Sequence, residues 1–168
     1  MRNIKVAVLF EEKLSNGGGF VQSVNAALLT KDIKNEKVDF IYLSTYKENL
    51  KLLRDNGLKP CLYYKENFLA KIKTKLLRIL KGTRIQQLLE KLKIFSDFEN
   101  FLNSKNIYLV YFLSMSKKGL DLSLMNYIVT IWDISHLDEP EFPETRKEAT
   151  DYFRNQIIEP VLKRSTAI

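Results

Sequence analysis

The sequence predicts an α/β fold, a parallel sheet with helices covering both of its faces. Three observations predict it. Short β-branched or aromatic runs, IKVAVLF at residues 4–10, VDFIYL at 38–43, IYLVYFL at 107–113 and IVTIW at 128–132, suit strands buried on both sides. Segments of helical periodicity lie between them, and that alternation needs crossover connections, which make neighbouring strands parallel. The cluster Ser15-Asn16-Gly17-Gly18-Gly19 sits where the first strand must hand over to a helix.

Taken in order, the first strand is followed by a helix opening at Phe20, with Val24, Ala27 and Leu28 at helical spacing. A strand, glycine turn and helix can aim backbone N–H groups at a phosphate or sugar. The segment SNGGGF is neither the dinucleotide fingerprint nor a P-loop, so those two ordinary readings are missing. The second strand ends at Ser44-Thr45, residues 47–56 read as a polar helix stopped by Gly57, and residues 60–64 as a short third strand.

Residues 68–80 repeat Phe68, Leu69, Ile72, Leu76, Ile79 and Leu80 at helical spacing, with Lys71, Lys75, Arg78 and Lys81 offset from them. That is an amphipathic basic helix, and its four cations are candidates for contact with an anionic membrane surface. After Gly82 one further helix is expected to carry Ile85, Leu88, Leu89, Leu92, Phe95, Phe98 and Leu102 as a stripe packed on the sheet. Residues 114–119 read as a polar loop after the fourth strand, and residues 120–125 as a brief helix before the fifth. Residues 144–163 are helical in pattern, acidic early and basic late, with Pro160 kinking or ending the helix. The final Ser165-Thr166-Ala167-Ile168 looks like a strand beginning, which leads us to expect a longer protein.

Composition bounds the function. A chain of 168 residues at 45% hydrophobic content suits one domain with one core. No apolar run approaches the roughly eighteen residues of a membrane span, and the N-terminus has no signal-peptide pattern. The single cysteine, Cys61, cannot form an internal disulfide and suits a reducing, cytoplasmic setting, with burial in a strand expected. The formal charge of +7 is local: residues 65–93 hold nine cations against Glu66 and Glu90, and the rest is near neutral. A local basic face without base-stacking aromatics or a reading motif argues against nucleic acid.

The fifth strand opens into the chain's most concentrated chemistry. Asp133, Ser135, His136, Asp138, Glu139, Glu141 and Glu144 follow it closely, with Pro140 and Pro143 forbidding regular structure. These residues form either a plain solvated connection with Trp132 in the core, or a site. Asp133 is the first residue past the strand, and an Asp and a His three apart can share a bond that fixes the imidazole for acid/base work. Asp-x-x-His matches no closed zinc spacing, so no metal is expected. The loops at 15–20, 44–46, 114–119 and 133–142 should meet on one sheet edge, offering Gly17, Gly18, Gly19, Ser114, Ser116, Trp132 and Glu141 to a polyhydroxylated or phosphorylated ligand.

The order IKVAVLF, NGGGF-x-x-S-x-N-x-A-L-L, LVYFLS and IVTIWDISHLDEPEFPE, followed by a helix with Arg146 and Tyr152, resembles the Rossmann-like N-terminal domain of family 4 glycosyltransferases of the GT-B architecture. The likeness covers strands one, four and five with their loops, and V-T-x-x-D followed by H-x-x-x-P-E-F is its most distinctive piece. It implies that residues 1–168 form the acceptor-side half of a retaining, metal-independent enzyme that uses a nucleotide-sugar donor. The donor would be held by a C-terminal half carrying Glu-x7-Glu, which this chain lacks, so the chain alone would be inactive. The acceptor would be a glycan or lipid-linked sugar of cell-surface polysaccharide synthesis, met at the inner face of the cell membrane. Asp133 and His136 would line the cleft as catalytic candidates. The family's His-Asp pair reads Trp132-Asp133 here, so the histidine's role does not pass directly to His136. The alternative is a non-catalytic α/β module whose basic helix meets a protein, membrane or nucleic acid.

Overall fold

The computed structural model describes residues 3–13, 18–33, 36–131 and 157–167. Five strands, β1 (Ile4–Phe10), β2 (Val38–Ser44), β3 (Cys61–Tyr63), β4 (Leu109–Phe112) and β5 (Asn126–Val129), form one sheet in the order β3-β2-β1-β4-β5. All four pairings are parallel. The expected fold is therefore present, a Rossmann-like parallel sheet with its strand order reversing between β1 and β4. Beyond β5, Thr166 donates to the Tyr127 carbonyl at 2.8 Å and Val129 to that of Ala167 at 3.3 Å, a parallel bridge where the sequence suggested a strand beginning.

The strands alternate their side chains between two cores, as a period of two requires. Ala7 and Leu9 of β1 join Ile41, Leu43, Val110, Phe112, Tyr127 and Val129 on one face. Val8 and Phe10 face the other way with Tyr42. The second face is covered by α1 (Gly18–Asp32), through Val24 and Ala27, and by α2 (Asn49–Asp55), through Leu53. The first is covered by α5 (Asp97–Ser104), through Phe98 and Leu102, and by α6 (Glu159–Arg164), through Val161. Burying a Phe98 ring stabilises by about 2–3 kcal/mol.

The middle of the chain differs from expectation. The helix foreseen from residue 83 to 102 is two helices, α4 (Arg84–Lys91) and α5. They are separated where Lys93 takes a left-handed φ of 56° and Ile94 donates back to the Leu89 carbonyl at 2.8 Å. Only Phe95, Phe98 and Leu102 of the foreseen stripe are buried; Ile85, Leu88 and Leu92 are exposed, so α4 does not pack on the sheet. The polar loop and brief helix foreseen between β4 and β5 are a 3-10 turn at Lys117–Asp121, then an irregular stretch that bends at Ser123 and Leu124 before β5. Its start is capped by the Ser116 hydroxyl, which accepts from Lys118 N–H. Pro160 lies in the first turn of α6, directly after a π-helical turn at residues 157–158; the upstream part of the expected helix, residues 144–156, lies outside the described residues. Cys61 is half-buried, its thiol donating to the Leu58 carbonyl at 2.8 Å.

The amphipathic helix α3 (Phe68–Ile79) is present, capped by Asn67 accepting from Ala70 N–H at 2.7 Å. Its orientation is the reverse of an ordinary core helix. The small residues Ala70 and Thr74 face the body of the molecule, while Phe68 and Leu69 are each 75% exposed and Ile72, Leu76 and Ile79 also face outward. No helix among the described residues is long and apolar enough to cross a membrane.

Candidate functional site at the carboxyl rim

All five strands end on one edge, and the reversal between β1 and β4 opens a crevice there. The chain passes the rim after β1 at Glu11, after β2 at Thr45 and Tyr46, after β3 at Tyr64, and after β4 at Ser114 to Ser116. Ser44 and Asn49 tie these exits together. The Asn49 amide donates to the Glu12 carbonyl at 2.7 Å and to the Ser44 hydroxyl at 2.9 Å, and Tyr46 N–H donates to that hydroxyl at 3.1 Å.

Glu11 is the first residue past β1, at the switch point. Burial pushes its carboxyl above the usual range, against the opposing pull of a hydrogen bond with the Ser116 hydroxyl and of the Lys118 charge. Asp121 lies on the same side, also pushed up by burial, although the Arg78 Nε donates to its Oδ1 at 2.5 Å. Its other oxygen is buried without a partner. Lys118 spreads its ammonium between the Tyr64 and Phe98 rings, 5.3 and 5.1 Å from their centroids, and lies 3.9 Å from Glu66. The Tyr64 hydroxyl is buried and unpartnered, and burial raises its pKa. A recess of about 350 Å³ opens here, lined by Thr45, Tyr46, Tyr64, Lys65, Glu66, Lys71 and Lys118. Such a set can hydrogen-bond the hydroxyls of a polyol, and a carboxyl with a raised pKa can exchange a proton nearer neutrality.

Of the residues expected to build the site, Ser114 and Ser116 lie on this rim, Ser116 buried and engaged with Glu11 and Lys118. Gly18 and Gly19 form the first turn of α1, in the connection that leaves β1 from the same edge. Gly17, Trp132, Asp133, His136 and Glu141 lie outside the described residues. The four cations expected to face a membrane divide. Lys71 and Lys75 are exposed on α3. Arg78 and Lys81 turn inward, Arg78 onto Asp121 and the Lys81 amine onto the Leu122 carbonyl at 3.2 Å, because their helix face packs against the β4–β5 connection. Those two therefore do not form an outward membrane-contact face.

Glu11 and Asp121 were not singled out from the sequence, whereas Lys118 belongs to the loop 114–119 expected on the rim. Glu11 had a signal: it is the first residue past β1, the position Asp133 holds past the expected strand 128–132, although β5 itself ends at Val129. Among the described residues no cluster of His, Cys, Asp and Glu is arranged to hold a metal. Comparison with family models, with curated proteins and with solved structures gives no match.

Proposed function

We propose that this chain is the acceptor-side half of a retaining glycosyltransferase, one that moves a sugar from a nucleotide-sugar to a glycan or lipid-linked acceptor. The observation that carries the reading is the rim at the β1/β4 crevice, where the raised Glu11 carboxyl, joined to Ser116, feels the charge of Lys118, a residue lining a recess of hydroxyls, ammonium groups and the Glu66 carboxylate. In this reading the rim binds the acceptor. Glu11 and Asp133 are the carboxylates that hold and polarise its hydroxyl, His136, Trp132 and Glu141 border the cleft, and Gly17 to Gly19 approach the donor phosphates. The donor is held by a second half, and no metal is needed.

The test is an assay of the protein with its downstream reading frame against a panel of nucleotide sugars. Transfer from one of them is expected, with Glu11→Gln lowering turnover by about 10²-fold while the far-UV spectrum is unchanged. No transfer from any donor, or a downstream frame without a second nucleotide-binding half, would leave a binding module as the better account.

The exposed stripe on α3 supports peripheral attachment to an anionic membrane, where a lipid-linked acceptor would be met. Phe68, Leu69, Ile72, Leu76 and Ile79 present apolar surface to solvent, and Lys71 and Lys75 flank it, the pairing that headgroups and acyl chains accept together. Each lysine near an anionic surface contributes about 1 kcal/mol. The chain should co-sediment with anionic vesicles, less at high salt, and Ile72→Glu with Leu76→Glu should abolish this without changing thermal stability. Equal binding to neutral vesicles, or none to either kind, counts against the attachment.

A further inference from the structure

Behind the exposed stripe, α3, the 3-10 turn and α6 enclose a cleft of about 620 Å³. Its lining is unusual in charge. Among the described residues, Lys71, Lys75, Arg78, Lys81 and Lys117 border it with one carboxylate, that of Glu66, and with no aromatic side chain. The α3 residues 71, 74, 75 and 78 lie on one helix face, since positions three and four apart stack. Folding therefore gathers like charges side by side, with Arg78 paired to Asp121.

We infer that this cleft binds a compact, multiply charged phosphate group, of the diphosphate class, carried on a soluble molecule or on a lipid headgroup.

A second feature of the wall points the same way. Thr74 borders the cleft at only 4% exposure, and its hydroxyl is buried with no hydrogen-bond partner. A buried donor without an acceptor is costly, and a phosphate oxygen supplies one. Lys81 is held with one N–H on the Leu122 carbonyl; burial first, then the neighbouring Arg164 and Arg78, lower its pKa to about 8, against the pull of Asp121 and Glu99. An anion in the cleft opposes that repulsion and draws the amine back to its charged form. Among the described residues of the wall no ring offers a base a surface to stack on, whereas the ammonium and hydroxyl groups suit a phosphate. The inference rests on this cleft alone and does not require sugar transfer.

The test is calorimetric titration of the full 168-residue chain with inorganic diphosphate, beside vesicle binding with phosphatidic acid in a neutral lipid. Saturable one-to-one binding of free diphosphate is expected. Lys81→Gln and Thr74→Val should each weaken it by about tenfold or more, whereas Lys51→Gln on α2 leaves it unchanged. Thr74→Val is nearly isosteric and removes an unsatisfied hydroxyl, so it should melt no lower than the parent and keeps the test valid if Lys81→Gln folds poorly. Free diphosphate binding lost in the two variants assigns a soluble ligand. Binding only to phosphatidic acid vesicles, with the same loss, assigns a lipid headgroup. No binding to either, or variants that bind as tightly as the parent, overturns the inference. Because these substitutions leave the α3 stripe and Glu11 intact, a failure here is distinguishable from a failure of membrane attachment or of transferase activity.

Discussion

Glu99→Ala is expected to lower the stability of the fold by about 3–5 kcal/mol, read as a fall in the urea midpoint with an unchanged slope. Glu99 is 1% exposed, and its carboxylate accepts three backbone N–H groups from the chain entering β5. Ser123 donates at 2.6 Å to one oxygen; Leu124 and Met125 donate at 2.8 and 2.9 Å to the other. Alanine takes the partner from the buried Met125 donor and from the Ser123 and Leu124 donors beside it. Glu99→Gln should fall between, since its remaining oxygen can serve two of the three donors while its amide faces the third donor with another. A loss below about 1 kcal/mol for Glu99→Ala would show that water enters and replaces the carboxylate.

Arg78→Met should be nearly as costly at neutral pH and much less so in mild acid. Asp121 has a side chain 1% exposed, with Arg78 its ionic partner. Burial already places its folded pKa above the ordinary carboxylate value, with Arg78 pulling it back. The folded state thus holds a proton that the unfolded chain releases, and stability falls as pH rises from the unfolded pKa through the folded one. Removing Arg78 lifts the folded pKa further and extends that window upward. We expect a deficit of about 3 kcal/mol near pH 7 that shrinks toward pH 5 as Asp121 takes up a proton. Urea denaturation across that range checks it. A deficit independent of pH would mean that Arg78 acts through packing and its bond to the Lys117 carbonyl. Adding Asp121→Asn should flatten the profile.

These two residues show where reading a sequence stops. The strands were legible because β1, β2 and β4 are apolar on both faces, which only a covered parallel sheet satisfies. Glu99 and Asp121 look like surface charge in one dimension. Their partners lie 24 to 26 and 43 positions away, so nothing local announces that they are buried. The apolar stripes of α3 and α4 were legible as stripes but not as exposed ones. A period of 3.6 identifies a face and says nothing of which neighbour covers it. Here the covered face of α3 is the one built from Ala70 and Thr74, whose small side chains allow close approach, and its longer apolar residues are left outside. At the rim, Ser114 and Ser116 followed from strand order alone, whereas Glu11 was passed over beside the more conspicuous glycines.

The bridge formed by residues 166 and 167 reaches further than its two hydrogen bonds. A flank of β5 left bare would be a row of unmet amides and carbonyls, an invitation to a second molecule's strand. By occupying the Tyr127 carbonyl and the Val129 amide, residues 166 and 167 take two of those groups out of reach of a foreign strand. Trimming the chain before Ser165 should therefore show first as concentration-dependent assembly in light scattering, while the monomer's melting point scarcely moves.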